Sequence, residues 1–214
     1  MSVFSILLVG LLLGMKHATE ADHLAAVATL ATRQVSLAQT LRQGVAWGVG
    51  HTLSLMLFGG AVFVLGQAIS PSLEQALETA VGIMLIGLGA DVLRRLVVER
   101  THFFERGHEP KDGHARALAV GMMHGLAGSA ALVMLSLKSL PSWSIGLGYI
   151  VVFGVGSIVG MALLSVAIAL PLRLSAGYLL GLHRSMTGLV GLFSCALGAC
   201  MVVEIGYLRA TLFG

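Results

Sequence analysis

The stretch "GMKHATEADHLAAVAT" (residues 14–29) sets Lys16, His17, Glu20, Asp22 and His23 within eight positions. "SVFSILLVGLLL" (2–13) leads into it and "LAAVATLAT" (24–32) leaves it. A polar island in so oily a run belongs either to a soluble amphipathic helix or to a membrane span with chemistry at its centre. Composition decides between them. The chain is 57% hydrophobic and 11% charged, with a mean hydropathy of +0.92, whereas a soluble domain is about one-quarter charged. These 214 residues therefore read as one compact all-α unit dissolved in a lipid bilayer. A net charge of +3, with the basic residues gathered in loops, gives no footprint for nucleic acid.

A hydrocarbon core of about 30 Å needs about 20 apolar residues in helix. Six runs qualify, near 3–31, 43–69, 73–98, 115–138, 142–171 and 176–210, and their excess length implies tilt or interruption. The N-terminal run lacks a basic flank and a small-residue cleavage site, so it reads as part of the first span and not as a removed signal. Cys195 and Cys200 share one apolar run and suggest neither a disulfide framework nor a redox pair. Loops 1–2, 3–4 and 5–6 carry Arg33, Arg42, Arg94, Arg95, Arg100, Arg106, Lys111, Arg116, Arg173 and Arg184, against Lys138 and Arg209 on the other side. The positive-inside rule makes the first side cytoplasmic and puts both termini outside.

The two halves resemble each other. "GMKHATEADHLAAV" (14–27) aligns with "GMMHGLAGSAALVM" (121–134), "WGVGHTLSLML" (47–57) with "FGVGSIVGMAL" (153–163), and "VGIMLIGLGADV" (81–92) with "VGLFSCALGACM" (190–201). Three matches in one order at nearly one offset divide the chain into a first three-helix repeat (1–98), a cytoplasmic histidine-containing loop (99–114) and a second repeat (115–214). Three is an odd number of spans, so the second repeat is expected to insert inverted, as in many transporters whose substrate site lies where the halves meet.

A charge at the bilayer centre costs about 2.5–3.5 kcal/mol. Glu20 and Asp22 need a partner, a cavity or a bound ion, and Lys16 neutralises at most one of them. A structural knot of ion pairs and a proton site are open readings beside a metal site. Imidazole with carboxylate suits borderline divalent ions such as nickel, cobalt, zinc, copper or iron, while calcium and magnesium prefer all-oxygen shells. On a regular helix His17, Asp22 and His23 would point to about 0°, 140° and 240° and could not share one ion. An interruption is therefore expected near residues 17–23, as in the broken helices that line transporter cavities. His51, in "WGVGHTLS", is the next candidate ligand. Glu20, Ser54 and His124, the counterpart of His17, are secondary ligand or pathway candidates. His102, His108 and His114 in the central loop are candidates for buffering metal at the cytoplasmic mouth, against the plainer reading of a solvated connector. Asp91, beside Arg94 and Arg95, reads as a local ion pair.

"HATEADH" (17–23) resembles the HX4DH signature of the nickel/cobalt transporter family. "GVGHTLSL" (48–55) resembles that family's second histidine segment, and "HGLAGSAAL" (124–132) its urease-accessory nickel permease branch. The resemblance spans almost the whole chain. It implies that His17, Asp22 and His23 bind the transported metal, with His51 contributing. The chain departs from larger members in showing six runs where they have eight, and in having no acidic counterpart to the signature in its second half.

The resulting expectation is a non-enzymatic inner-membrane permease without a permanent cofactor, carrying Ni²⁺ or Co²⁺ as substrate and compatible with a homo-oligomer. No P-loop "GxxxxGK[ST]" is present, and a divalent ion entering a negative interior gains about 4.6 kcal/mol per 100 mV, so uptake driven by potential is favoured. An exporter of the same family, or a membrane metal sensor or urease-maturation partner without transport, are the competing readings. A haem-bearing membrane enzyme finds no CxxCH, and no HExxH marks a zinc protease.

Overall fold

A computed structural model describes residues 2–32, 36–65, 70–98, 113–127, 143–178 and 180–213, and over these residues the chain is helical. Seven helices are described: α1 (Val3–His17), α2 (Ala21–Ala31), α3 (Leu37–Leu65), α4 (Pro71–Val98), α5 (Gly113–Leu126), α6 (Trp143–Tyr178) and α7 (Leu180–Phe213). Three of them are long and apolar enough to cross a membrane: α4, α6 over Ser144–Ser175, and α7 over Gly181–Tyr207. α1 and α2 meet the requirement jointly as a bent pair, giving up to four spans among the described residues, where the sequence suggested six. The fourth apolar run, 115–138, enters α5 and then leaves the described residues.

The polar island falls on the bend. α1 begins on a Ser2 cap whose hydroxyl accepts from the Ser5 amide at 3.2 Å, and it ends at His17. Glu20 is extended (φ −64°, ψ 149°) and starts α2, which leaves at 58°. The interruption demanded by the helical geometry of His17, Asp22 and His23 thus lies at Ala18–Glu20. Backbone groups freed there are partly met locally, by the Glu20 amide on the His17 carbonyl at 3.1 Å and the Thr19 hydroxyl on the Lys16 carbonyl at 2.7 Å.

Small residues then set how the helices meet. A Cβ at Gly14 of α1 would strike the Phe153 carbonyl of α6, and one at Gly156 the Leu11 carbonyl. A Cβ at Gly121 of α5 would strike the Trp47 carbonyl of α3, and one at Gly50 the Leu118 carbonyl. The contacts advance together along both helices of each pair, Gly10 on Tyr149 before Gly14 on Phe153 and Gly121 on Trp47 before Gly125 on His51, so α1 runs parallel to α6 and α5 parallel to α3. Gly48 against Ile158 and Gly154 against Thr52 make α3 and α6 antiparallel, with the Thr52 hydroxyl donating to the Gly154 carbonyl at 3.2 Å. α4 and α7 also run antiparallel, Gly82 meeting Gly198 and Gly89 meeting Gly191, with the Ser194 hydroxyl on the Leu85 carbonyl at 2.8 Å. Close backbone approach through small residues is how helices associate where lipid offers no hydrophobic drive.

The buried centre joins these pairs. Ala18, Ala25, Ala26, Trp47, Leu85, Ala117 and Met161 form one cluster around α2. Towards one end of α4, Asp91 meets Arg94, Arg95 and Arg116 at 3.3–3.4 Å, the local ion pair expected there, with Arg116 reaching across from α5.

Candidate metal centre

Four histidines converge at the bend. His17 closes α1, His23 stands in the first turn of α2, His51 lies mid-way along α3, and His124 is near the end of α5. All are buried, at 5%, 2%, 0% and 1% exposure. The 58° turn brings the His17 and His23 rings to a 4.4 Å centroid separation, which a straight helix would forbid. His51 lies 5.1 Å from each of them, and His124 4.9 Å from His23.

The carboxylates turn to imidazoles and not to Lys16, whose side chain is exposed. Asp22 Oδ1 lies 2.9 Å from His23 Nδ1, and Asp22 Oδ2 lies 3.5 Å from His124 Nε2. When His23 donates from Nδ1, its Nε2 lone pair is turned to the cluster, the arrangement by which a carboxylate orients a metal-binding histidine. Glu20 Oε1 is 2.9 Å from His17 Nδ1, off the hydrogen-bonding direction, and its side chain is 45% exposed. Among the described residues, seven ring nitrogens of the four histidines have no directed hydrogen bond: both of His17, His51 and His124, and Nε2 of His23. Buried polar atoms are ordinarily satisfied.

Two donor sets result. One ligand atom from each of His17, His23 and His51 lies within 4.8 Å of the other two, and the same holds for Asp22, His23 and His124. Their donor chemistry matches a borderline divalent cation, which contracts such nitrogens to about 2.0–2.1 Å around itself.

Comparison with known proteins adds a relative. The chain is 33% identical over 213 residues to the urease accessory protein UreH of Bacillus sp. (strain TB-90), covering 95% of this chain and 93% of the relative. The chain belongs to the UreH family. Two Arabidopsis thaliana proteins, Chloroplast protein FOR GROWTH AND FERTILITY 2 and 1, are 25% and 26% identical over 150 and 170 residues. The chain spans 40% and 46% of their lengths. No family model and no solved structure matches.

In this UreH-family chain the structure gathers His17, Asp22, His23, His51 and His124 at one point, and brings Glu20 to the edge of it. Ser54, one turn from His51, is buried at 3% exposure. His114 is exposed at the start of α5, away from the cluster, while His102 and His108 lie outside the described residues. Two neighbours were not foreseen. Trp47 touches His23 and His124 at 5.4 and 5.6 Å between ring centroids, and Phe153 touches His17 at 5.6 Å. The signal for Trp47 is its position four residues before His51, which puts both on one face of α3.

Proposed function

We propose that this chain is a cell-membrane permease for divalent transition-metal ions, Ni²⁺ or Co²⁺, which it binds at His17, His23 and His51 with Asp22 and His124 alongside. The observation that carries this reading is the set of seven buried imidazole nitrogens without directed hydrogen bonds among the described residues. A purely structural histidine cluster would pair them, since an unsatisfied buried polar group costs about 1–3 kcal/mol. The nickel/cobalt resemblance of "HATEADH" (17–23) and kinship to a urease accessory protein support the same ion class.

The chain works as two inverted halves. Supporting this, helices at matching positions in the two halves run oppositely: α3 against α6, α4 against α7, and, through their parallel partners, α1 against α5. The glycine contacts recur with the halves exchanged, Gly14 on Phe153 answering Gly121 on Trp47. The ion moves inward, drawn by the membrane potential, and the loop at 99–114 faces the cytoplasm.

Radiolabelled nickel flux into proteoliposomes is the test. Wild-type protein is expected to accumulate nickel, and a His17→Ala/His23→Ala variant to fall to the protein-free background. Wild-type rates in that variant would overturn the site. Saturable binding with no flux would turn the assignment to a metal sensor.

A further inference from the structure

We propose that Trp47 and Phe153 are the two gates of the ion path, one on each side of the histidine cluster. The inference rests on the permease reading above and deepens it. Trp47 is ten residues beyond Leu37, the first residue of α3, and Phe153 is ten residues beyond Trp143, the first residue of α6. Each has its carbonyl under a glycine of the helix running parallel to it, Gly121 and Gly14. Each lays its ring on the cluster, Trp47 on His23 and His124, Phe153 on His17.

Their placement along the bundle separates them. α3 and α6 are antiparallel with Gly48 at the level of Ile158 and Thr52 at that of Gly154, so Phe153 stands level with residue 53 of α3. Six residues divide that level from Trp47, about 9 Å of helix, and His51 lies between. An ion at the cluster therefore has an aromatic ring above it and another below.

Beyond the two rings the surroundings differ. Past Trp47 lies a cavity of about 10 Å³, room for one water, lined in part by Trp47, Thr40, Gln43 and Ser165. Past Phe153 come Tyr149, Ile150 and Leu55 in apolar contact. A hydrated ion leaving through Trp47 meets Thr40, Gln43 and Ser165 beside the apolar Val27, Leu30 and Ala31; through Phe153 it meets Ile150, Leu55 and the ring of Tyr149. Trp47 is fully buried, and among the described residues its indole nitrogen has no hydrogen-bond partner, whereas a buried indole fixed purely as core usually finds an acceptor. Packing alone, with no hydrogen bond to the indole nitrogen among the described residues, holds the ring across the path. Swinging it away joins the cluster to the cavity on the side of Thr32 and Ser36, and Phe153 does the same for the opposite face.

The test reads access to the cluster by side. With Cys195 and Cys200 replaced by serine, a His51→Cys substitution puts one thiol at the centre, to be modified by a charged, membrane-impermeant methanethiosulfonate in right-side-out and inside-out vesicles. A separate Ser36→Cys protein reports which vesicles expose the face bearing Thr32 and Ser36. Adding Trp47→Ala is expected to speed modification of the thiol introduced at position 51 about tenfold or more from that face alone, equivalent to about 1.4 kcal/mol off the barrier. Trp47→Phe restores the slow rate, and Phe153→Ala produces the acceleration from the opposite face alone. Acceleration from both faces by either variant, or from neither by both, overturns the proposal. Loss of nickel flux in the wild type with sidedness intact would instead remove the permease reading and leave two aromatic barriers.

Discussion

At Asp22 one carboxylate faces two imidazoles, 2.9 Å from His23 Nδ1 and 3.5 Å from His124 Nε2. Asp22→Asn leaves one acceptor oxygen for two rings and removes the negative charge that a cation would meet. Co²⁺ affinity, read from the visible absorbance of the detergent-solubilised protein, is expected to fall about 10- to 100-fold. Unchanged affinity would place Asp22 outside the ion's surroundings. Because metal-binding histidines must be neutral, affinity should also fall as the pH is lowered, and a pH-independent titration would argue against imidazole ligands. At this scale the sequence was informative where charge broke an apolar background. His17, Asp22, His23 and His51 stood out because such groups are costly in lipid. Trp47 and Phe153 did not, since aromatic residues in an oily run attract no notice. The link from Asp22 to His124 joins positions 102 residues apart and has no local mark.

The broken helix shows the same divide one level up. Three ligand candidates pointing to different sides of a regular helix demand a break, and the 58° turn meets that demand. Its location at Ala18, Thr19 and Glu20 could not be read locally, because no proline or glycine stands there; the break coincides with a tertiary contact, Ala18 being at 0% exposure with its methyl against Gly160. Helix pairing, by contrast, left a trace in the glycines. Gly14→Ala would drive a methyl into the α6 backbone, and overpacking of this kind costs about 1–3 kcal/mol. Thermal unfolding in detergent should show that loss, and a similar one for Gly121→Ala. Gly87→Ala, with nothing within 4 Å of its added Cβ, should show no such loss. A Gly14→Ala protein as stable as wild type would mean that α1 and α6 are not held at this distance.

Across the whole molecule the chain is an integral membrane protein of bundled helices with a polar centre. The three to four spans among the described residues fall short of the six apolar runs, partly because residues 128–142 are not described and part of the fourth run lies there. The inverted arrangement of the halves belongs to the proposed mechanism, as does the direction of transport. The direction makes a claim about driving force: two charges crossing 100 mV gain about 4.6 kcal/mol. An inside-negative potassium diffusion potential should therefore raise nickel accumulation in proteoliposomes by orders of magnitude. Accumulation indifferent to the potential would require exchange against compensating charge.

The joint at Ala18–Glu20 also assigns the two nearest histidines to different neighbours. His17 rides on α1, which lies along α6, while His23 rides on the short α2, which lies against α4 and α7 as well as α6. Relative sliding of those bodies would act on the pair as jaws on a pin, lengthening the 4.4 Å separation between the rings. A chelate held by imidazoles on both jaws loses its grip as soon as one donor withdraws. On the proposed permease reading, unloading the ion would then need neither a proton nor a nucleotide, only a change of span across three residues of chain.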